Sequence, residues 1–81
     1  MARVSATTDK DQDLVRFGVA IRARRKAIGL SQEALADQAG IDRSHMGKLE
    51  RGERNVTFFN ILRIAKAINC KPSDLFIQSD L

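Results

Sequence analysis

The chain has 81 residues, enough for one domain and not for two. Hydrophobic residues make up 43% and charged residues 30%, which suits a soluble globular protein, and no run approaches the ~18 consecutive apolar residues of a membrane span. The net charge of +4 favours a polyanionic partner without requiring one.

Residues 1–11 are polar and without period, so a disordered arm is expected, in which Arg3 and Lys10 are the basic residues. The first twenty residues have no apolar run and carry Asp9, Asp11 and Asp13, unlike a signal peptide. Their spacing resembles a calcium loop only superficially, since the glycine and closing glutamate are missing. Cys70 is the one cysteine and cannot form an internal disulfide, which points to the cytoplasm, and it is expected to behave as a small buried hydrophobe.

Leu14, Phe17, Ile21 and Ile28 recur at helical spacing, so a first helix is expected from Gln12 to Ile28, closed by Gly29. Five basic residues (Arg16, Arg22, Arg24, Arg25, Lys26) and no acidic one lie between Leu14 and Gln32. Ser31 is a good N-cap for a second helix, Gln32 to Ala39, which Gly40 stops. Asp42 caps a third helix ending near Arg51-Gly52, and Thr57 caps a fourth with Phe58, Ile61, Leu62, Ala65 and Ile68 on its apolar face. The phenylalanines other than Phe59 read as core. Pro72 suits the first position of a short fifth helix, Pro72 to Phe76. The expected fold class is all-α, a compact five-helix bundle over residues 12–77 with a C-terminal tail at 78–81. A core this small is marginal, so close packing or dimerisation must contribute to stability.

The segment Gln32 to Glu50 carries the chemistry. Two short helices flank a tight turn at Gly40, where a positive φ is required, and Ala36 is small enough for a close, steep crossing. Ile41, Met46 and Leu49 are spaced to plug the second of these helices into the core. That arrangement turns Arg43, Ser44, Gly47 and Lys48 outward, as major-groove reading requires. A glycine at position 47 leaves base reading with fewer side chains and weakens the helix by roughly 1 kcal/mol against alanine.

The run Gln32, Ala36, Gly40, Met46, Leu49 resembles the helix-turn-helix of phage-repressor-like regulators, the Cro/repressor or xenobiotic-response-element family with its lambda-repressor-like fold. Ile28 to Ala36, Leu49 to Gly52, Ile64 to Ile68 and Pro72 to Phe76 match in the same order, so the resemblance covers residues 14 to 77. Asp42-Arg-Ser44 and Glu50 to Val56 are most similar to controller proteins of restriction–modification systems. The resemblance implies base reading by Arg43, Ser44 and Lys48, and contacts to the DNA backbone by Gln32, Arg51, Arg54 and Asn55; His45 reads as an exposed helix residue, with a backbone-phosphate contact as the alternative. It also implies a partly buried ion pair between Arg25 and Glu50. Arg16, Arg22, Arg24 and Lys26 read as solvated surface.

Phe59, where the family often has a polar residue, suggests a covered surface. With Ile77 and Leu81 it is expected at a homodimer interface. The expected partners are palindromic double-stranded DNA and a second copy of the chain, in the cytoplasm of a bacterium or in a phage setting. No membrane, small-molecule ligand, cofactor or metal is expected, because no ligand set accompanies the single His45. No catalytic constellation is visible, so an enzyme is not expected. The alternative is an antitoxin-like or co-regulator interaction module with DNA binding secondary.

Overall fold

A computed structural model describes residues 9–81, and most of the arm expected at 1–11 lies outside the described residues. Five helices follow in chain order: α1 Asp13–Ala27, α2 Gln32–Ala39, α3 Arg43–Glu50, α4 Phe58–Ala67 and α5 Pro72–Gln78. The architecture is the all-α bundle expected. α3 packs on α1 and α2, α4 on α2 and α5, and α5 returns to α1.

Local chemistry sets most of the helix ends. Ser31 Oγ accepts from Ala34 N at 3.0 Å, Asp42 Oδ2 from Ser44 N and His45 N at 3.1 and 3.2 Å, and Thr57 Oγ1 from Asn60 N at 3.1 Å. α1 begins differently from expectation. Gln12 is left-handed at φ 59, and the carboxylate of Asp9, three residues earlier, accepts from Asp13 N at 2.9 Å and Leu14 N at 3.2 Å. At the other end, Arg24, Arg25 and Lys26 complement the helix dipole, and Leu30 N closes back on Arg25 O at 3.0 Å. α5 runs two residues beyond the expected Phe76. The residues expected as a tail fold back, Ser79 being buried and Leu81 N donating to Phe76 O at 2.9 Å.

The core gathers Phe17, Ala20 and Ile21 of α1, Leu35, Ala36 and Ala39 of α2, Met46 and Leu49 of α3, Ile64 and Ala65 of α4, and Ile41, Ile68 and Leu75. Phe76 lies at its edge, its ring stacked on Phe17 with centroids 5.4 Å apart. Leu14 and Leu62, expected on the apolar faces, are only half-buried, and two further residues expected in the core are largely exposed. Ile28 is 50% exposed because it sits past the last helical turn, where the backbone has left the helical path and the stripe. Phe58 is 70% exposed because it occupies the first position of α4, one turn ahead of Ile61, and the core does not extend beneath that turn. Cys70 is half-buried against the core, and burial pushes its thiol above the usual range.

Candidate nucleic-acid interface

The helix-turn-helix is assembled from short-range signals. α2 ends on Gly40 at φ 69, a left-handed conformation, and Ile41 N bonds back to Ala36 O at 2.9 Å. The chain therefore turns within the three residues Gly40, Ile41 and Asp42 and re-enters a helix at Arg43. Ala36 is fully buried where α2 meets its neighbours, and Met46 and Leu49 plug α3 into the core from beneath. Arg43 and Ser44 are left exposed at the N-terminal end of α3, while Lys48 and His45 are half-buried.

Asp42 organises that end of the helix. Its Oδ2 accepts the Ser44 hydroxyl at 2.6 Å as well as the two backbone donors. The Ser44 hydroxyl, then the His45 backbone N–H, hold this carboxyl below its ordinary value of 3.8. A carboxyl lowered by folding stabilises the fold above its unfolded value, and that contribution is lost as pH falls through the folded value. The thermal midpoint is therefore expected to drop on acidification below pH 3.8, and Asp42→Asn to show a shallower drop over the same window. Equal slopes for the two proteins in circular-dichroism melts would remove Asp42 from that account.

Beside α3 lies a cleft lined by Arg22, Arg25, Gln32, Glu50 and Arg51. Its floor is an ion pair. Arg25 Nε donates to Glu50 Oε2 at 2.7 Å and Nη2 to Oε1 at 3.0 Å, while Nη1 reaches Leu30 O at 3.0 Å. Arg25 is 8% and Glu50 6% exposed. Gln32 Nε2 donates to the same Glu50 Oε1 at 3.0 Å, so the start of α2 is tied to the end of α3 through a buried carboxylate. One amide hydrogen of Gln32 is engaged there, which leaves its second amide hydrogen and its oxygen able to make a further contact.

Gly47 is not on the outward face where its spacing in α3 placed it. It is buried beneath Gln32 and Arg51, and a Cβ added there would lie 3.2 Å from Gln32 Oε1 and from Arg51 Nη1. The period of α3 alone cannot show that side chains of other elements close over that position. Arg22 is exposed, as expected of solvated surface, and it also lines the cleft. The signal was available: Arg22 is one turn before Arg25 on the same helix, so an inward Arg25 brings Arg22 to the same side. Arg24 is likewise engaged, its Nε donating to Gln78 Oε1 at 2.7 Å and tying α1 to α5.

Two cations in the loop after α3 meet a carboxylate or a carbonyl. Arg51 donates to both oxygens of Glu53 at 3.0 and 3.2 Å, which holds its guanidinium in the charged form even more firmly than usual. Arg54 Nη1 donates to Glu53 O at 3.0 Å, and Asn55 is exposed in the same loop. Away from the cleft, Phe59, Ile77 and Leu81 are 65%, 75% and 51% exposed. The guanidinium of Arg63 covers one side of the Phe59 ring at 5.2 Å while donating to Gly40 O at 2.9 Å. Among the described residues no three His, Cys, Asp or Glu side chains gather in a metal-holding group, and no helix is long and apolar enough to cross a membrane.

A helix-turn-helix family model matches residues 21–75, the span from the middle of α1 into α5. This chain belongs to the helix-turn-helix family. It is 39% identical over 61 residues to the control protein C.SmaI of Serratia marcescens, an alignment covering 75% of this chain and 73% of that one. It is 40% identical over 60 residues to the control protein C.BamHI of Bacillus amyloliquefaciens, covering 73% and 74%. Among solved structures it is similar to the restriction-modification controller protein C.AhdI from Aeromonas hydrophila, with a TM-score of 0.78 and 53% identity over 79% of this chain and 97% of that one. Family and fold together make this helix-turn-helix protein a DNA-binding transcriptional regulator.

Proposed function

We propose that this helix-turn-helix protein binds a roughly palindromic operator as a homodimer in the cytoplasm and acts as a controller of its own gene and an endonuclease gene. The observation that carries the reading is the capped, exposed N-terminal end of α3 beside a basic cleft, in a chain similar to named restriction–modification control proteins. Arg43, Ser44 and Lys48 read base edges, Arg43 most strongly, because its fork matches O6 and N7 of guanine. Gln32, His45, Arg51, Arg54 and Asn55, joined by Arg22 at the cleft, hold the sugar-phosphate backbone and set register.

One α3 reads too few base pairs to find a site in a genome, so two copies are required, with half-site centres about 10 base pairs apart. The exposed Phe59 and Ile77, on α4 and α5, which pack together, and Leu81 beyond the end of α5 are the surface for the second copy. Control then follows protein concentration through dimerisation.

In vitro selection from random duplexes is the test, with sedimentation of the same protein. A palindrome with half-sites one turn apart, and a mass twice that of the 9.0 kDa chain, are expected. Arg43→Ala is expected to lower the preference for that palindrome by about 5- to 150-fold. Arg54→Ala is expected to weaken binding to all duplexes alike and lower the salt slope by about 1. Recovery of no motif would replace this reading with that of a protein-interaction module. Equal effects of the two substitutions on specific and random DNA would end the division of roles.

A further inference from the structure

The guanidinium of Arg43 is engaged before any DNA arrives. Its Nε and Nη2 donate to the two oxygens of Asp37 at 3.3 and 3.0 Å, and its Nη1 donates to Glu33 Oε2 at 3.3 Å. Glu33 and Asp37 are one turn apart on α2, so both carboxylates lie on the same side of that helix. The turn at Gly40 then brings the first residue of α3 against them. Asp37, and after it Glu33, hold the guanidinium more firmly protonated than usual.

The clamp stands in water, Arg43 and Asp37 having side chains 59% exposed and Glu33 71%. Exposed pairs of this kind are weak, so the arginine can leave. What it leaves for matters. Two carboxylates around one guanidinium make the local charge negative. A backbone phosphate that took Arg43 would sit beside the carboxylates it displaced, against like-charge repulsion. A guanine edge is neutral, and its O6 and N7 present two acceptors side by side, much as Asp37 does.

We propose that Glu33 and Asp37 are specificity-determining residues, forming a clamp on Arg43 that a guanine edge displaces and a backbone phosphate does not. The proposal rests on the base-reading role of Arg43 given above. On random DNA the clamp keeps Arg43 from acting as one more phosphate contact, which lowers non-specific affinity. On the operator the arginine swings out to the base.

The test measures binding to the selected operator duplex and to a scrambled duplex of the same length across a salt series. Four proteins are compared: the unaltered chain, Glu33→Gln with Asp37→Asn, Arg43→Ala, and all three changes together. All three positions are exposed, and thermal melts confirm that each protein is folded. Without the clamp, scrambled DNA is expected to bind about tenfold tighter, with a salt slope steeper by about 1, as Arg43 gains a phosphate. Operator affinity is expected to rise less, so the ratio of the two falls. With Arg43 already removed, neutralising the carboxylates is expected to shift both duplexes equally and leave the ratio unchanged. The same fall in ratio with and without Arg43 would reduce the clamp to a general charge effect and overturn it, while leaving base reading intact. Arg43→Ala with the full operator preference would instead end the base-reading role, and the clamp with it.

Discussion

Arg25→Ala is expected to lower the unfolding free energy by about 3–5 kcal/mol, because it leaves the Glu50 carboxylate buried without its cation. The burial decides the size of the effect. A surface pair would be worth about 0–1 kcal/mol and would fade with salt. Here Arg25 is 8% and Glu50 6% exposed, and the carboxylate also holds Gln32, so three elements lose a common anchor. At about 4–8 °C per kcal/mol for a domain of this size, a drop in thermal midpoint of roughly 12–40 °C follows. Total stabilities of about 5–15 kcal/mol mean that part of the population would unfold at growth temperature. A melt followed by circular dichroism checks this. The double change Arg25→Met with Glu50→Leu separates a lost charge partner from a lost shape, and is expected to recover most of the loss, since an apolar pair leaves no charge behind. A single-substitution cost below about 1 kcal/mol would show that water reaches the pair in solution.

Gly18→Ala is expected to destabilise by about 1–3 kcal/mol or more, although alanine is favoured over glycine in a helix interior by about 1 kcal/mol. A Cβ at position 18 would collide with the carbonyl oxygen of Glu50 and come within 2.7 Å of the Leu49 carbonyl oxygen. Those are backbone atoms of α3, unable to rotate aside, so α1 and α3 would have to separate. Separation would also stretch the Arg25–Glu50 pair, which joins the same two helices. Gly47→Ala is the control. Its Cβ would meet only the flexible ends of Gln32 and Arg51, at 3.2 Å, and stability is expected to change by less than about 1 kcal/mol. Urea unfolding of the two variants checks the contrast, and a Gly18→Ala protein as stable as Gly47→Ala would mean that the two helices are not in backbone contact.

Much of this protein is determined by its sequence alone. Ser31, Asp42 and Thr57 cap helices where their residue types require it, and Gly40 turns the chain where a left-handed residue is needed. Such signals act over three or four residues, so they can be read without knowing what lies across the core. The capping carboxylate of Asp9, set back by the left-handed Gln12, was the exception, since its spacing departs from the usual cap. The packing positions Met46, Leu49, Ala65 and Ile68 were legible for the same reason, from period alone, whereas the fully buried Ile64 lay outside the apolar face expected of α4.

What only the tertiary structure decided concerns residues whose neighbours come from another helix. Periodicity put Phe58 in the core, but the bundle stops one turn short of it. It put Gly47 outside, but Gln32 and Arg51 close over it. Arg43 finds Glu33 and Asp37 only after the turn has brought α3 against α2. A helical stripe tells which side chains share a face; where that face ends, and which charges it meets there, depends on the crossing of helices that are far apart in the chain.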